Sequence, residues 1–268
     1  MGRVRLRPRA AARVEETVSL DTLWGNKVDI AIERLRMFEP EEGYYLAFSG
    51  GKDSQCIYHL AEEAGVKFDA HFSVTTVDPP ELLAFIRQHY PSVLWDRPEK
   101  SMFRLIVERG TLPTRLARFC CEALKEDRGE GRMVVTGIRW QESNARRKRS
   151  MTEACYKVTK MYLHPIIDWS EDDVWAYLGD RPHCELYDQG FKRIGCIMCP
   201  MAGPKRQHED ALRWPRIAHM YKRAADRLYQ RRKERGDNMA WQSGEDMYRW
   251  WIGDRPVDKE DDQMELFE

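Results

Sequence analysis

Short apolar segments alternate with helical patterns through the first half of the chain. Residues 44–48 form an apolar and aromatic run long enough for one buried strand, and residues 68–75 alternate apolar and polar side chains with a period of two. Strands that alternate with helices at these lengths predict a doubly wound, mostly parallel α/β sheet. Further strands are predicted at residues 92–95 and 133–137, and helices around residues 56–61, 82–86, 103–107 and 115–125.

Several helix boundaries are also visible in the sequence. Asp78 is predicted as the N-cap of a helix that has Pro79 at its first position, and Ser170 begins a capping box. Residues 207–235 are strongly helical and rich in arginine, with a break at Pro215. The predicted organisation is a basic N-terminal arm (residues 1–26), an α/β domain with a cysteine-rich loop (27–205), and a helical extension with an acidic tail (206–268).

The charge of the chain is high but balanced. Lys and Arg number 44, as do Asp and Glu, so the net field does not favour nucleic acid and any such contact would need a local patch. No apolar run reaches membrane-spanning length and no secretory signal peptide is visible, which predicts a cytoplasmic protein. The seven cysteines are odd in number and unevenly spaced, a pattern that favours metal or redox chemistry over a disulfide framework.

The first chemical signal is the segment Ser-Gly-Gly-Lys-Asp-Ser at residues 49–54, between the first strand and the next helix. Such a turn aims backbone N–H groups and the positive end of a helix dipole at one point, which suits a phosphate. It is not a Walker A loop, because Leu46 stands where that motif requires glycine and Asp53 where it requires Ser or Thr. The segment resembles the PP-loop of the ATP pyrophosphatase superfamily at every position. The nucleotide-binding residues expected here are Ser49, Gly50, Gly51, Lys52, Asp53 and Ser54.

The second signal is a set of four cysteines, Cys120 and Cys121 in one segment and Cys196 and Cys199 in another. Thiolates are the usual ligands of zinc and of iron–sulfur clusters. Adjacent cysteines wrap a single tetrahedral ion poorly but can reach two iron atoms of a cubane. The residues therefore favour a 4Fe–4S cluster, with zinc as the second hypothesis.

The third signal follows the predicted strand at residues 133–137. Thr136 and Gly137 lie at its carboxyl end, and Arg139 comes directly after them. Arginine binds phosphate or sulfate oxygens through two parallel hydrogen bonds. We therefore expect Thr136, Gly137, Arg139, Arg146 and Arg147 to contact the nucleotide.

These motifs occur in an order that resembles the phosphoadenylyl/adenylyl-sulfate (PAPS/APS) reductase family over roughly residues 44–203. The resemblance covers the PP-loop, the cysteine pair, TGIR, HPI.DWS..DVW.YL and GC..CP. It implies a PP-loop fold of the adenine nucleotide alpha-hydrolase type that holds an adenine nucleotide. It also implies a 4Fe–4S cluster on Cys120, Cys121, Cys196 and Cys199.

One departure from the family changes the expected activity. The family reductases use a further nucleophilic cysteine in a C-terminal segment, and no cysteine follows Cys199 in this sequence. The first hypothesis is therefore a PP-loop ATP pyrophosphatase-type enzyme of sulfur metabolism or sulfur transfer, which adenylates a substrate and carries a 4Fe–4S cluster. The alternatives are a PAPS/APS reductase that uses an external or recruited thiol, and a non-catalytic nucleotide-binding subunit of a larger assembly.

The catalytic residues expected from these motifs are Lys52, Asp53 and Arg139. Mg²⁺ is expected with ATP, because it offsets the charge of the pyrophosphate. The expected partners are an adenine nucleotide, ATP or adenylyl sulfate, and a sulfur donor or thiol protein, but not a membrane. Contacts with nucleic acid and with a second copy of the chain are left open.

Overall fold

The computed structural model describes residues 20–155 and 159–254, with side chains from residue 27 onward. Most of the predicted basic arm and the predicted acidic tail lie outside these residues, and the first helix begins at Leu20, inside the segment assigned to the arm. The helices are α1 (Leu20–Met37), α2 (Lys52–Ala64), α3 (Pro80–His89), α4 (Met102–Arg109), α5 (Phe119–Cys121), α6 (Glu171–Leu178), α7 (Pro204–Arg213), α8 (Pro215–Arg235) and α9 (Gly244–Trp251). The strands are β1 (Tyr44–Ala47), β2 (Phe68–Ser73), β3 (Leu94–Asp96), β4 (Met133–Val135), β5 (Thr152–Cys155) and β6 (Lys160–Leu163).

Within the described residues, six strands form one mostly parallel sheet, which confirms the predicted α/β fold. Their order is β3-β2-β1-β4-β6-β5, and every neighbouring pair is parallel except β5 with β6. The four strands predicted from apolar patterns are all present. The antiparallel β5–β6 pair was not predicted, because its segments lack a regular alternation of apolar and polar residues.

The sheet changes its winding direction between β1 and β4. From β1 the chain adds β2 and β3 on one side, and then returns to place β4 on the other side. In open α/β sheets, ligands bind outside the carboxyl ends of the strands at such a switch point. Leu46 of β1 pairs with Val135 of β4, so the segments that follow these two strands emerge side by side.

The helix ends follow local sequence chemistry in most places. Ser101 and Ser170 cap α4 and α6 through their side chains, and Gly65 ends α2 in the left-handed conformation. The predicted start of α3 was wrong: the helix begins at Pro80, and the carboxylate of Asp78 accepts hydrogen bonds from the backbone N–H and hydroxyl of Thr75. The carboxylate is satisfied by the preceding turn and so does not cap the helix.

The C-terminal helices pack on the α/β core. The rings of Tyr221 in α8 and Trp251 in α9 lie 4.7 Å apart, and Phe103 of α4 meets the other side of Tyr221. The indole of Trp251 donates to the carbonyl of Pro113 at 2.6 Å. The end of α7 at Arg213 and the start of α8 at Pro215 confirm the predicted break at Pro215. Within the part of the chain that the structure describes, no helix has the length and apolar character needed to cross a membrane.

Candidate functional site

The turn between β1 and α2 is held by hydrogen bonds within the PP-loop and from α2. The hydroxyl of Ser54 donates to the carbonyl of Gly51 at 2.8 Å, and the amide of Gln55 donates to the carbonyl of Gly50 at 3.2 Å. Gly50 has a φ of +71°, and a Cβ there would lie 2.8 Å from side-chain carbons of Ile86 and Leu82. Glycine is therefore required at residue 50 both by the backbone conformation and by the approach of α3.

Lys52 is the first residue of α2, and its ammonium is almost fully enclosed. The side chain is 2% exposed, and Nζ donates to the carbonyl of Lys192 at 3.2 Å. Carboxylate oxygens of Asp53 and Glu171 lie 3.7 and 3.6 Å from Nζ. A buried cation at the positive end of a helix is arranged to meet an anion.

The loop after β4 packs directly against the first turn of α2. A Cβ on Gly137 would lie 2.7 Å from the backbone oxygen of Asp53, so only glycine permits this approach. The guanidinium of Arg139, 3% exposed, donates from Nε to Oδ1 of Asp53 at 2.6 Å. This hydrogen bond fixes the position of the Asp53 carboxylate.

A polar cavity of about 200 Å³ lies at the carboxyl ends of β1 and β4, and we call it the nucleotide cavity. Three of the residues predicted to bind nucleotide do not line it: Gly50, Arg139 and Arg147. Arg147 is exposed on the loop after β4. The predicted residues that line it are Ser49, Gly51, Lys52, Asp53, Ser54, Thr136, Gly137 and Arg146.

Three further polar residues line this cavity and were missed in the sequence. Glu142 accepts hydrogen bonds from the backbone of Arg139 at 3.0 Å and pairs with Arg146 and with Arg193, the latter at 3.2 Å. The hydroxyl of Tyr187 accepts a hydrogen bond from the backbone N–H of Lys52 at 2.9 Å. Burial raises the pKa of Tyr187, which keeps it a neutral phenol. Neither Tyr187 nor Arg193 belongs to a segment whose local pattern indicates a phosphate site.

Thr136, at the end of β4, is supported by a buried histidine. Its hydroxyl and Nδ1 of His164 lie 2.7 Å apart, while Nε2 of His164 is buried without a hydrogen-bond partner. Burial lowers the pKa of His164 to about 4. The imidazole is therefore neutral near pH 7 and fixes the Thr136 hydroxyl beside the nucleotide cavity.

The four predicted cysteine ligands line a second, enclosed space, the cysteine cavity. The side chains of Leu124 and Tyr221 close it on the protein side, and Lys125 reaches into it. Cys120 and Cys121 lie on α5, which continues directly into a π-helical turn over Glu122–Glu126. Such turns occur frequently at functional sites. The tertiary fold therefore brings together all four of these residues: Cys120, Cys121, Cys196 and Cys199.

The CxxC segment is held in a tight turn by its surroundings. Met198 has a φ of +58°, and the amide of Cys199 donates to the carbonyl of Cys196 at 3.3 Å. Asp210 accepts a hydrogen bond from the amide of Met198 at 2.8 Å, and Gln207 donates to its carbonyl at 3.2 Å. A non-glycine residue in this conformation is strained, so the helix α7 maintains the turn.

Two cations face the thiols. The hydrogen bond from Cys120, together with a hydrogen bond from Arg118, holds the pKa of Cys121 below its usual value. Attraction to Cys196 raises the pKa of Lys125. The contact with Arg118 favours the thiolate of Cys121, whereas burial raises the pKa of Cys199.

The donor set in the cysteine cavity has the residue types of a thiolate-ligated cluster, which is a larger group than a single ion. Among the described residues, no three His, Cys, Asp or Glu side chains are arranged to hold one metal ion. Four thiols with cationic neighbours and an apolar shell have the chemistry that an anionic iron–sulfur cluster requires. Residues of the right type are therefore present for the larger group.

The other cysteines lie away from both cavities. Cys56 and Cys184 are buried in the core, and Cys56 donates to the carbonyl of Val174. Cys155 ends β5 and lines a separate cleft with Arg132, next to the amino end of β4. None of the described residues that line the nucleotide cavity is a cysteine.

A family model and several curated proteins match this chain. A model described as phosphoadenosine phosphosulfate reductase domain matches residues 43–202, more than half of the chain. An uncharacterized protein of Methanocaldococcus jannaschii is 33% identical over 169 residues, which are 58% of this chain and 41% of that protein. Adenosine 5'-phosphosulfate reductase 2 of Bacillus subtilis is 30% identical over 148 residues, which are 50% of this chain and 61% of that protein. The chain thus spans less than two thirds of the length of these relatives.

Among solved structures, this chain is similar to the crystal structure of phosphoadenylyl-sulfate reductase from Candida auris in its phosphate complex. It is 21% identical to this chain, covers 66% of it and 93% of its own chain, and superposes with a TM-score of 0.49.

Proposed function

Because the chain belongs to the phosphoadenosine phosphosulfate reductase domain family, we propose that it is a nucleotide-using enzyme of the ATP pyrophosphatase type. In this proposal it binds ATP in the nucleotide cavity and adenylates an acceptor in sulfur chemistry. The observation that carries the proposal is the convergence of Lys52, the first turn of α2, Arg146 and Arg193 on one polar cavity at the switch point of the sheet.

The pyrophosphate end of ATP would lie against the first turn of α2. The positive end of the α2 dipole favours a phosphate there, and the hydroxyls of Ser49 and Ser54 lie 3.1 Å apart in the same turn. Lys52 adds a buried positive charge, and Mg²⁺ would offset the remaining charge of the phosphates. Because leaving pyrophosphate gains negative charge, these groups stabilise the transition state more than the bound substrate.

The α-phosphate would face Arg146 and Arg193. Both guanidinium groups pair with Glu142, which holds them on one side of the cavity. An acceptor oxygen attacks the α-phosphorus, the α–β phosphoanhydride bond breaks, and pyrophosphate leaves. The two arginines neutralise the charge that develops on the α-phosphate oxygens. A sulfur donor then displaces AMP from the adenylated acceptor.

The cysteine cavity would hold a 4Fe–4S cluster on Cys120, Cys121, Cys196 and Cys199. When bound, the cluster would supply iron sites and sulfide for electron or sulfur handling. Arg118 and Lys125 would balance the negative charge of the thiolates. The tight CxxC turn keeps Cys196 and Cys199 together.

The second candidate function is reduction of a sulfonucleotide. It is favoured by relatives that carry this activity in their names. The positions of the other cysteines argue against their recruitment as the nucleophile. Cys56 and Cys184 are buried in the core, and Cys155 lies by the amino end of β4. An external thiol protein would therefore have to supply the nucleophile.

The deciding experiment is product analysis with anaerobically purified protein. We expect pyrophosphate and AMP from ATP, slow with water as acceptor and faster with the correct one, and loss of both in Lys52→Ala. We expect no sulfite from adenylyl sulfate when thioredoxin is the thiol source. Sulfite formation at enzymatic turnover would establish the reductase function instead, and failure to bind either nucleotide in calorimetry would overturn both.

A further inference from the structure

A second open cavity lies beside the nucleotide cavity, on the other side of the loop at residues 190–196. Its volume is about 380 Å³, within the range of small-molecule sites. Arg193 and Ile194 line both cavities, so the two spaces adjoin through this loop. Cys196 also lines it, which places it next to the cysteine cavity. We call it the acceptor cavity.

The acceptor cavity carries an excess of positive charge. Lys192, Arg193 and Arg206 line it, Arg193 is paired with Glu142 at 3.2 Å, and the lining carboxylate is that of Asp210. Asp210 is already engaged, because Oδ1 accepts from Nε of Arg206 at 2.7 Å and Oδ2 accepts from the amide of Met198 at 2.8 Å. A ligand that enters this space would therefore meet cations and would be favoured if it carries an anionic group.

Arg206 is held in place for such contacts. Its guanidinium lies 3.7 Å from the ring centroid of Phe191, and its Nε is fixed by Asp210. The terminal nitrogen Nη1 comes only within 4.0 Å of Glu209, which is beyond hydrogen-bond distance. The Nε of this guanidinium is fixed and the group lies over an aromatic ring. It therefore loses little conformational entropy when its terminal nitrogens bind an oxyanion.

The cavity also has an aromatic wall, in which Trp214 is 8% exposed. Phe191 and Trp214 both line it, with their rings 5.9 Å apart in an edge-to-face arrangement. The indole nitrogen of Trp214 donates to Glu81 at 3.1 Å, which fixes the plane of the ring. Planar heterocycles bind by stacking on aromatic rings and on guanidinium planes.

We propose that the acceptor cavity binds a nucleoside phosphate unit as the second substrate, with its phosphate on Arg206 and its base beside Trp214. The proposal rests on the function proposed for the nucleotide cavity and names the class of molecule that receives the adenylyl group. The same chemistry is presented by a free nucleotide and by a single strand of nucleic acid. Arg216, Arg223 and Arg227, exposed along α8 from its first turn next to Trp214, would contact only a strand.

The test measures binding of two probes while α,β-methylene ATP saturates the nucleotide cavity. The probes are thymidine monophosphate and single-stranded oligothymidylate. Equilibrium dialysis at fixed salt measures the binding of each probe. We expect Arg206→Gln and the exposed Lys192→Gln each to weaken probe binding, the first by about ten- to hundredfold. The matched control is Arg213→Gln, which removes an arginine that contacts the same two rings but pairs with Glu81 outside the cavity.

The outcomes separate the two sources of the ligand. Binding of the mononucleotide that depends on Arg206 and ignores Arg223→Gln supports a free nucleotide. Binding of the oligonucleotide alone, weakened by both Arg206→Gln and Arg223→Gln, supports a strand. The inference is overturned if neither probe binds while α,β-methylene ATP does, or if Arg206→Gln and Arg213→Gln bind equally well. Absence of α,β-methylene ATP binding would instead contradict the proposed function.

Discussion

The Nε atom of Arg139 donates to Oδ1 of Asp53 across 2.6 Å and joins the loop after β4 to the first turn of α2. Arg139 is almost fully buried, so its removal would leave Asp53 without its main partner. We expect Arg139→Met to cost roughly 3 kcal/mol of unfolding free energy and to weaken nucleotide binding.

Chemical denaturation and calorimetry check this prediction. Arg147→Met is the matched control, because Arg147 is exposed on the same loop. A double-mutant cycle with Asp53→Asn should show that the two losses are not additive. Equal stability of the Arg139 and Arg147 variants would contradict the assigned pairing.

Lys52 supplies the buried positive charge of the nucleotide cavity. We expect Lys52→Ala to weaken ATP binding by about ten- to hundredfold, which corresponds to a charge-assisted contact of about 1.5–3 kcal/mol. Titration calorimetry with α,β-methylene ATP measures the effect, and the exposed Lys67→Ala serves as control. Unchanged affinity in Lys52→Ala would place the phosphates elsewhere.

Gly137 permits the contact between the loop after β4 and α2. Because a Cβ would lie 2.7 Å from a backbone oxygen, Gly137→Ala should displace α2 or the loop and cost about 1–3 kcal/mol of stability. Gly195→Ala is the control, since a Cβ there meets no atom within 4 Å. Thermal and urea unfolding of both variants would test this, and equal stability would count against the prediction.

We expect anaerobically purified protein to contain iron and acid-labile sulfide, because the cysteine cavity is the proposed site of a 4Fe–4S cluster. We expect the protein to be brown, and Cys196→Ser to lose the colour and most of the iron. Cys155→Ser should keep both, because Cys155 lines a different cleft. Stoichiometric zinc without iron in anaerobic material would support the zinc hypothesis.

Because His164 is buried as a neutral imidazole, we expect the free energy of unfolding to decrease in acid. Its pKa falls from 6.5 in the unfolded chain to about 4 in the fold, so the unfolded state takes up a proton first as the pH drops. The stability contributed by neutral His164 is present above pH 6.5 and is lost progressively between pH 6.5 and about 4. At about 1.4 kcal/mol per pKa unit, the loss is on the order of 3 kcal/mol.

Urea unfolding at pH 7 and pH 5 measures this loss. We expect His164→Gln to be less stable than the parent protein at pH 7 but to show a smaller decrease between the two pH values. The result that contradicts the prediction is an unchanged pH dependence in the variant.

Much of the candidate site could be predicted because its chemistry is local. Two glycines, a lysine and two serines between a buried strand and a helix are neighbours in sequence, and the turn they form depends on those neighbours. The pattern therefore predicted that Ser49, Lys52 and Ser54 act together. The same reasoning found β4 and the helix break at Pro215.

Local patterns failed where a side chain had a competing partner. Asp78 was predicted to cap α3, yet its carboxylate is satisfied by Thr75. The expected contact of Arg139 with the nucleotide stays a prediction, and its guanidinium donates to Asp53, which is 86 residues away in sequence. Neither partner can be chosen from the residues next to these two side chains.

The sequence by itself determined the alternation of strands and helices, the phosphate-type turn and the presence of four cysteines in two pairs. Only the tertiary structure decided that the two cysteine pairs line one cavity and that Tyr187, Glu142 and Arg193 complete the nucleotide cavity. The physical reason is that turn chemistry acts between adjacent residues. The convergence of distant side chains depends on how the sheet is wound and on which loops then pack against each other.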